Sequence, residues 1–135
     1  METEKNAFYR VSAKALILDE SGKKFVTILE DNGWWELPGG GLDWGESMIE
    51  CIIREVKEEM GLTVIEVAKN PCYYMIGKSI SGKQSLNLVF ETKVKDFNFV
   101  PSSECQEMRF IDPEEVDTIN AYRNVRELAE LMKNK

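Results

Sequence analysis

From Tyr9 onward the apolar positions alternate and then run continuously through Ala15-Leu16-Ile17-Leu18, the pattern of a strand that starts at an edge and ends buried. Residues 9–18 are therefore predicted as strand. Asp19-Glu20-Ser21-Gly22 supplies a turn and residues 25–29 a second strand, so the two should form a hairpin whose far end meets another turn at Asp31-Asn32-Gly33. A short strand at residues 34–37 closes at Pro38 and the glycine run 39–41. Strand material returns at residues 62–67, 72–76 and 85–94, the last alternating Leu86, Leu88 and Phe90, and again at 108–111. Lys69-Asn70-Pro71 and a polar loop at residues 78–83 separate these strands.

Between residues 47 and 60 the period lengthens to that of a helix. Ile49, Ile52, Ile53, Val56 and Met60 fall on one side of it. Ser47 with Glu50 three residues later is a capping-box pair, and Gly61 stands where a left-handed residue would stop the helix. Glu55, Glu58 and Glu59 form a narrow stripe next to the apolar face, at the rim of whatever that face packs against. Like charges at this spacing cost a few tenths of a kcal/mol per pair. A divalent cation would reverse that sign, and hard carboxylate oxygens suit Mg²⁺ or Mn²⁺; a solvated acidic face is the other reading of the stripe. Near the end, Asp112 and Pro113 make a good N-cap and first residue for a short helix at 114–117. Ala121, Val125, Leu128 and Met132 then recur at helical spacing. Strands interrupted by one long helix and closed by another predict an α/β (α+β) fold with a mixed sheet between helices.

The stretch 40–62 carries a sharper signal. Gly40, five residues, Glu46, seven residues and then Arg54-Glu55-Val56-Lys57-Glu58-Glu59-Met60-Gly61-Leu62 match GX5EX7REUXEEXGU, with U apolar, at every defined position. The chain thereby resembles the Nudix hydrolases. Trp35-Glu36-Leu37-Pro38-Gly39-Gly40-Gly41 is similar to the approach segment of that family, and residues 109–116 resemble its strand-then-short-helix ending. The resemblance implies an α/β/α sandwich with a mixed β-sheet and divalent-metal-dependent hydrolysis of a diphosphate linkage. It also implies metal ligation by Glu58, Glu59 and the Gly39 carbonyl. Glu55 is either a further ligand or the base, and Arg54 orients the glutamates. Read by itself, the glycine run is a flexible turn.

Composition narrows the remaining choices. With 135 residues, 43% of them apolar, the chain fits one domain spanning 1–135 that buries roughly two thirds of its unfolded surface. The polar start lacks a hydrophobic signal core, and no apolar run is long enough to span a bilayer, so no membrane partner and a cytoplasmic location are expected. Cys51, Cys72 and Cys105 have neither disulfide nor zinc spacing. The absence of histidine leaves proton transfer to carboxylates, with Lys or Tyr in support. A net charge of −7 speaks against extended nucleic-acid binding, whereas a small phosphorylated nucleotide fits once a cation screens the carboxylates.

The resemblance leaves the base open between Glu55 and a glutamate in a later loop, where Glu104 and Glu107 stand; Glu104 is the preferred loop candidate. Glu46 is assigned to fixing the loop. The Pro or Tyr that marks ADP-ribose or diadenosine polyphosphate preference in the resembling family is absent around Lys78, which leaves a nucleoside triphosphate or another small nucleoside diphosphate derivative. Lys78, Lys83, Lys93 and Lys95 either meet phosphate or are solvated. Trp34, Tyr73, Tyr74 and Phe90 either stack a base or pack in the core. A non-catalytic Nudix-like nucleotide- or partner-binding module is the alternative function, and monomer and homodimer both remain open.

Overall fold

The computed structural model describes residues 6–78 and 81–134. The polar start at residues 1–5 and Ser79-Ile80 of the expected loop lie outside the described residues. Among the described residues, eight strands and two α-helices follow one another as β1 (Arg10–Leu16), β2 (Phe25–Leu29), β3 (Trp35–Glu36), β4 (Gly39–Gly41), α1 (Met48–Met60), β5 (Val64–Val67), β6 (Tyr73–Lys78), β7 (Gln84–Val94), β8 (Glu107–Ile111) and α2 (Arg123–Lys133). A 3-10 helix, Pro113–Thr118, precedes α2, with Asp112 as its capping residue.

The strands form two sheets. In the larger, β1 lies between antiparallel β4 and parallel β7, and β7 pairs on its other side with β6 and β5. The smaller has the order β3-β2-β8. The expected hairpin of β1 with β2 is therefore only partial: an isolated bridge joins Leu18 to Phe25, and Val26 N donates to Ile17 O at 2.9 Å before the strands part. Both edges of β1 are taken, by β4 and by the distant β7, so local pairing yields to a long-range partner. No local pattern encodes that choice.

Two apolar clusters fill the space on either side. Ala13, Ala15 and Ile17 of the β1 region meet Val26 and Ile28 of β2 and Ile52, Val56 and Met60 of α1. On the other side Leu16, Phe25 and Val89 meet Val125, Leu128 and Ala129 of α2. The curled mixed sheet thus lies between α1 and α2, as expected. Phe90 is core, 3% exposed.

Helix α1 ends as predicted. Ser47 and Glu50 complete a capping box, and Gly61 adopts φ 68°, in the left-handed region. Its buried face, however, is Cys51, Ile52, Val56, Glu59 and Met60, rotated from the expected one. Ile49 and Ile53 are 37% and 45% exposed. Helical spacing explains the rotation, because Glu59 lies three residues from Val56 and seven from Ile52, within the arc that packs on β1. A substitution pair reads this orientation: Ile52→Ala is expected to cost about 2–5 kcal/mol in denaturant unfolding and Ile53→Ala under about 1 kcal/mol. Equal losses would contradict it.

Candidate active site

The site is built where the glycine turn of β4 meets the buried flank of α1. Gly39 has φ 120°, and a Cβ there would overlap the Ala13 carbonyl oxygen, so only glycine lets β4 lie this close to β1. A Cβ at Gly40 would stand 2.8 Å from the Glu55 carboxyl carbon. The turn is thus pressed against two carboxylates of the helix, since Gly39 N also donates to Glu59 Oε1 at 3.0 Å. The Cys51 thiol donates to Gly40 O at 3.3 Å, and burial pushes that thiol up to about 11, leaving it an inert packing group.

Glu59 is 7% exposed. Burial drives its pKa up to about 8, against a partial offset from the Gly39 amide and the charge of Lys14. A carboxylate so enclosed, beside Glu55, makes no ion pair among the described residues, and Lys14 offsets its burial only in part. That deficit, together with an oxygen-only donor set, fits a hard divalent cation. Among the described residues no three Asp, Glu or Cys side chains stand together as a preformed metal cluster. Arg54 accounts for part of the spacing, because its Nη1 holds Glu55 Oε1 at 2.7 Å and Glu58 Oε2 at 3.3 Å.

Arg54 is the hub of the charged network. Its Nε and Nη2 meet both oxygens of Glu46, at 2.7 and 2.9 Å, the bidentate geometry that fixes a guanidinium most firmly. That pairing holds the Glu46 pKa down at about 2 and raises the pKa of Arg54 further. Asp43 approaches Arg54 at 3.4 Å, and Asp43 N donates to Glu46 Oε1. Glu46 therefore fixes the loop before α1, as expected, and also anchors Arg54 from that loop.

The expected site residues separate by depth. Glu59 is inside, the Glu55 side chain is 16% exposed and the Glu58 side chain 53%. Glu104 and Glu107 are both exposed, and none of the hydrogen bonds or ion pairs among the described residues ties either carboxylate to the helix. Their loop is nonetheless anchored there: Ser102 Oγ donates to Glu59 O at 3.0 Å, and Cys105 N to Ser102 Oγ at 3.1 Å.

Sequence reasoning missed Lys14, Glu36 and Asp43. Lys14 is 6% exposed on β1, with its amine 3.9 Å from Glu36 Oε1. A lysine directly before the continuous apolar run at residues 15–18, on a strand expected to end buried, was the available signal. Both residues line a cleft of about 670 Å³ on the face of β1 and β7 opposite α1. Ser12, Ser85 and Asn87 line it too, as does Asn124, whose buried Oδ1 has no hydrogen-bond partner among the described residues. Lys78 and Lys83 reach this cleft, whereas Lys93 pairs with Glu66 at the surface. Trp34 packs on Tyr122 with ring centroids 5.5 Å apart, while Tyr74 is 64% exposed.

Comparison with known proteins places the chain. A family profile described as NUDIX domain matches residues 8–134. A MutT-like protein of Streptomyces ambofaciens is 32% identical over 108 residues, covering 80% of this chain and 67% of that protein. An RNA pyrophosphohydrolase of Campylobacter jejuni (strain RM1221) is 39% identical over 72 residues, 50% of this chain and 45% of the relative. The chain thus spans about half the length of the curated relatives of that kind. In fold it is similar to the MutT protein from Methanosarcina mazei Go1, with TM-score 0.78, 24% identity and coverage of 98% and 100% of the two chains. No helix among the described residues is long and apolar enough to cross a membrane. With the profile match extending across nearly all of the residues, this chain belongs to the Nudix hydrolase family.

Proposed function

We propose that the protein hydrolyses a diphosphate linkage in a nucleoside triphosphate or another small nucleoside diphosphate derivative, with Mg²⁺ or Mn²⁺ as cofactor. The observation that carries this reading is the enclosed Glu59 carboxylate, held by Gly39 N beside Glu55 and lacking a counter-charge in contact. Glu55, Glu58, Glu59 and the Gly39 carbonyl are the groups that would hold the cation. When bound, it supplies charge neutralisation on phosphate oxygens and a water of lowered pKa.

The protein's own groups do the rest. Arg54 keeps Glu55 and Glu58 in fixed rotamers through its hydrogen bonds to both, and Glu46 keeps Arg54 from swinging away. Glu55, with one oxygen on Arg54, can accept a proton from water on the other. Glu104 and Glu107 remain candidates for that role, supported by the anchoring of their loop at Glu59 O. The cleft beyond Lys14 suits the nucleoside half, where the carboxamides of Asn87 and Asn124 can face donors and acceptors of a base. The name of the Campylobacter relative, RNA pyrophosphohydrolase, supports a nucleotide diphosphate as the bond attacked. A cytoplasmic location is part of this reading, supported by a cysteine complement, Cys51, Cys72 and Cys105, that is odd in number and has no disulfide-framework spacing.

Two outcomes test it. With Mg²⁺ and a panel of nucleoside triphosphates, Glu59→Gln is expected to lower kcat/KM by at least about 10- to 100-fold, the loss typical of even an outer partner of a metal. Wild-type-like turnover by that variant would contradict the assignment, and tight nucleotide binding without any turnover by the unmodified protein would favour a binding module.

The second outcome is a pH dependence. Glu59 titrates near 8 when folded and near 4.5 when unfolded, so between those values the folded state binds more protons. Metal-free stability should therefore fall as pH rises from about 4.5 through about 8, the sign linkage requires. In thermal melts without metal, Glu59→Gln should flatten this slope, and Mg²⁺ should stabilise the unmodified protein most at the alkaline end. A melting temperature independent of pH across the window would contradict the buried-carboxylate account.

A further inference from the structure

Lys14 is a buried cation with a poor partner. It is 6% exposed on β1, and lysine is almost never buried without a close counter-charge. Its ion pair with Glu36 spans 3.9 Å, about 1 Å longer than a charge-assisted hydrogen bond. Among the described residues its amine makes no hydrogen bond. Glu36 is already engaged, because the same Oε1 accepts from Leu37 N at 2.7 Å. The carboxylate of Glu36 therefore balances the charge of Lys14 without satisfying its N–H donors.

The pair stands at one end of the cleft on the β1–β7 face. Arg10, Ser12 and Lys14 are the residues of β1 that line this cleft. Of these Lys14 is in register with Gly39, whose amide holds Glu59. It thus marks the boundary between the carboxylates of α1 and the cleft, and its charge reaches Glu59. Lys78, Lys83 and Arg123 line the cleft as well, and among the described lining residues Glu36 supplies the one carboxylate. An anion drawn to these cations competes only with Glu36 for Lys14.

Resting on the hydrolase reading above, we propose that Lys14 and Glu36 are an exchange pair: Glu36 holds Lys14 until the phosphate joined to the sugar of the substrate takes its place. A nucleotide with its diphosphate at the carboxylates and its nucleoside in the cleft must carry that phosphate across the boundary where Lys14 stands. Lysine suits a change of partner, having a flexible stem and three rotatable donors. Glu36 keeps its bond to Leu37 N, so the lysine side chain alone moves. A purely structural ion pair would instead make the two residues equally necessary, because removing either leaves the other charge buried alone.

Calorimetric titration without metal, using each of the four common ribonucleosides and its 5′-monophosphate, tests the exchange. For the base bound best, the unmodified protein is expected to bind the monophosphate about 10-fold more tightly than the nucleoside, or better, the gain of one charge-assisted contact. Lys14→Met, close in shape, should bring that ratio towards one. Glu36→Gln keeps an acceptor for Leu37 N but frees Lys14, and should raise the ratio above that of the unmodified protein. Four results overturn the exchange: a ratio near one in the unmodified protein, no measurable binding of any monophosphate, a ratio that survives Lys14→Met, or one that Glu36→Gln leaves unchanged or lowers. Should Lys14→Met fail to fold, the unmodified protein and Glu36→Gln decide by the same criteria. Turnover does not enter this readout, so a protein that shows the expected pattern and hydrolyses no nucleotide would overturn the hydrolase reading and leave the exchange in place.

Discussion

A single hydrogen bond, from Gly39 N to Glu59 Oε1, ties the glycine turn to the buried flank of α1, and the remainder of the site depends on what it encloses. A carboxylate taken out of water without a cation is costly. Here it is kept because Val56, Ile52 and Met60 on the same arc must pack against β1. The apolar burial that fixes the helix carries Glu59 inward with it. Burial there favours the protonated acid, and a cation beside the Gly39-Gly40 turn would favour its ionisation.

Charge balance around that point is divided between two basic side chains. Arg54 satisfies the outer carboxylates, Glu46, Glu55 and Glu58, and sets their positions from the solvent side. Lys14 approaches from the opposite face of the sheet and pairs with Glu36. Among the described residues neither ion-pairs with Glu59, and the charge of Lys14 offsets its burial only in part. Under the proposed function, the carboxylate face would hold a metal and the cationic cleft would receive an anionic substrate.

Much of this could be read from local chemistry. The capping box at Ser47 and Glu50, the left-handed Gly61 and the Asp112-Pro113 start each use a short-range rule, and each appears where those residues predict. The box of glycine, arginine and glutamates pointed to the candidate site because its chemistry is concentrated in 23 consecutive residues, 40–62. What depended on distant partners was not legible. The pairing of β1 with β7 in place of β2 is set by residues 75 positions apart, as in Arg10 with Ser85. The depth of Glu59 was misjudged because a face drawn through Ile49 and Ile53 ignores what the sheet offers as a surface. Lys14, Arg10 and Arg123 come together only once β1, β7 and the start of α2 are assembled. The choice between Glu55, Glu104 and Glu107 as base depends on a substrate position that neither spacing nor packing encodes.

In the proposed site Glu59 is protonated in the metal-free protein near neutral pH and ionised when a cation binds. Calorimetric titration of Mg²⁺ or Mn²⁺ at pH 7, repeated in buffers of different ionisation enthalpy, measures that exchange directly. Release of about one proton per site is predicted, since ligands must deprotonate to bind, and Glu59→Gln should abolish it. Metal binding with no proton released would contradict a buried, protonated Glu59 as the centre of the site.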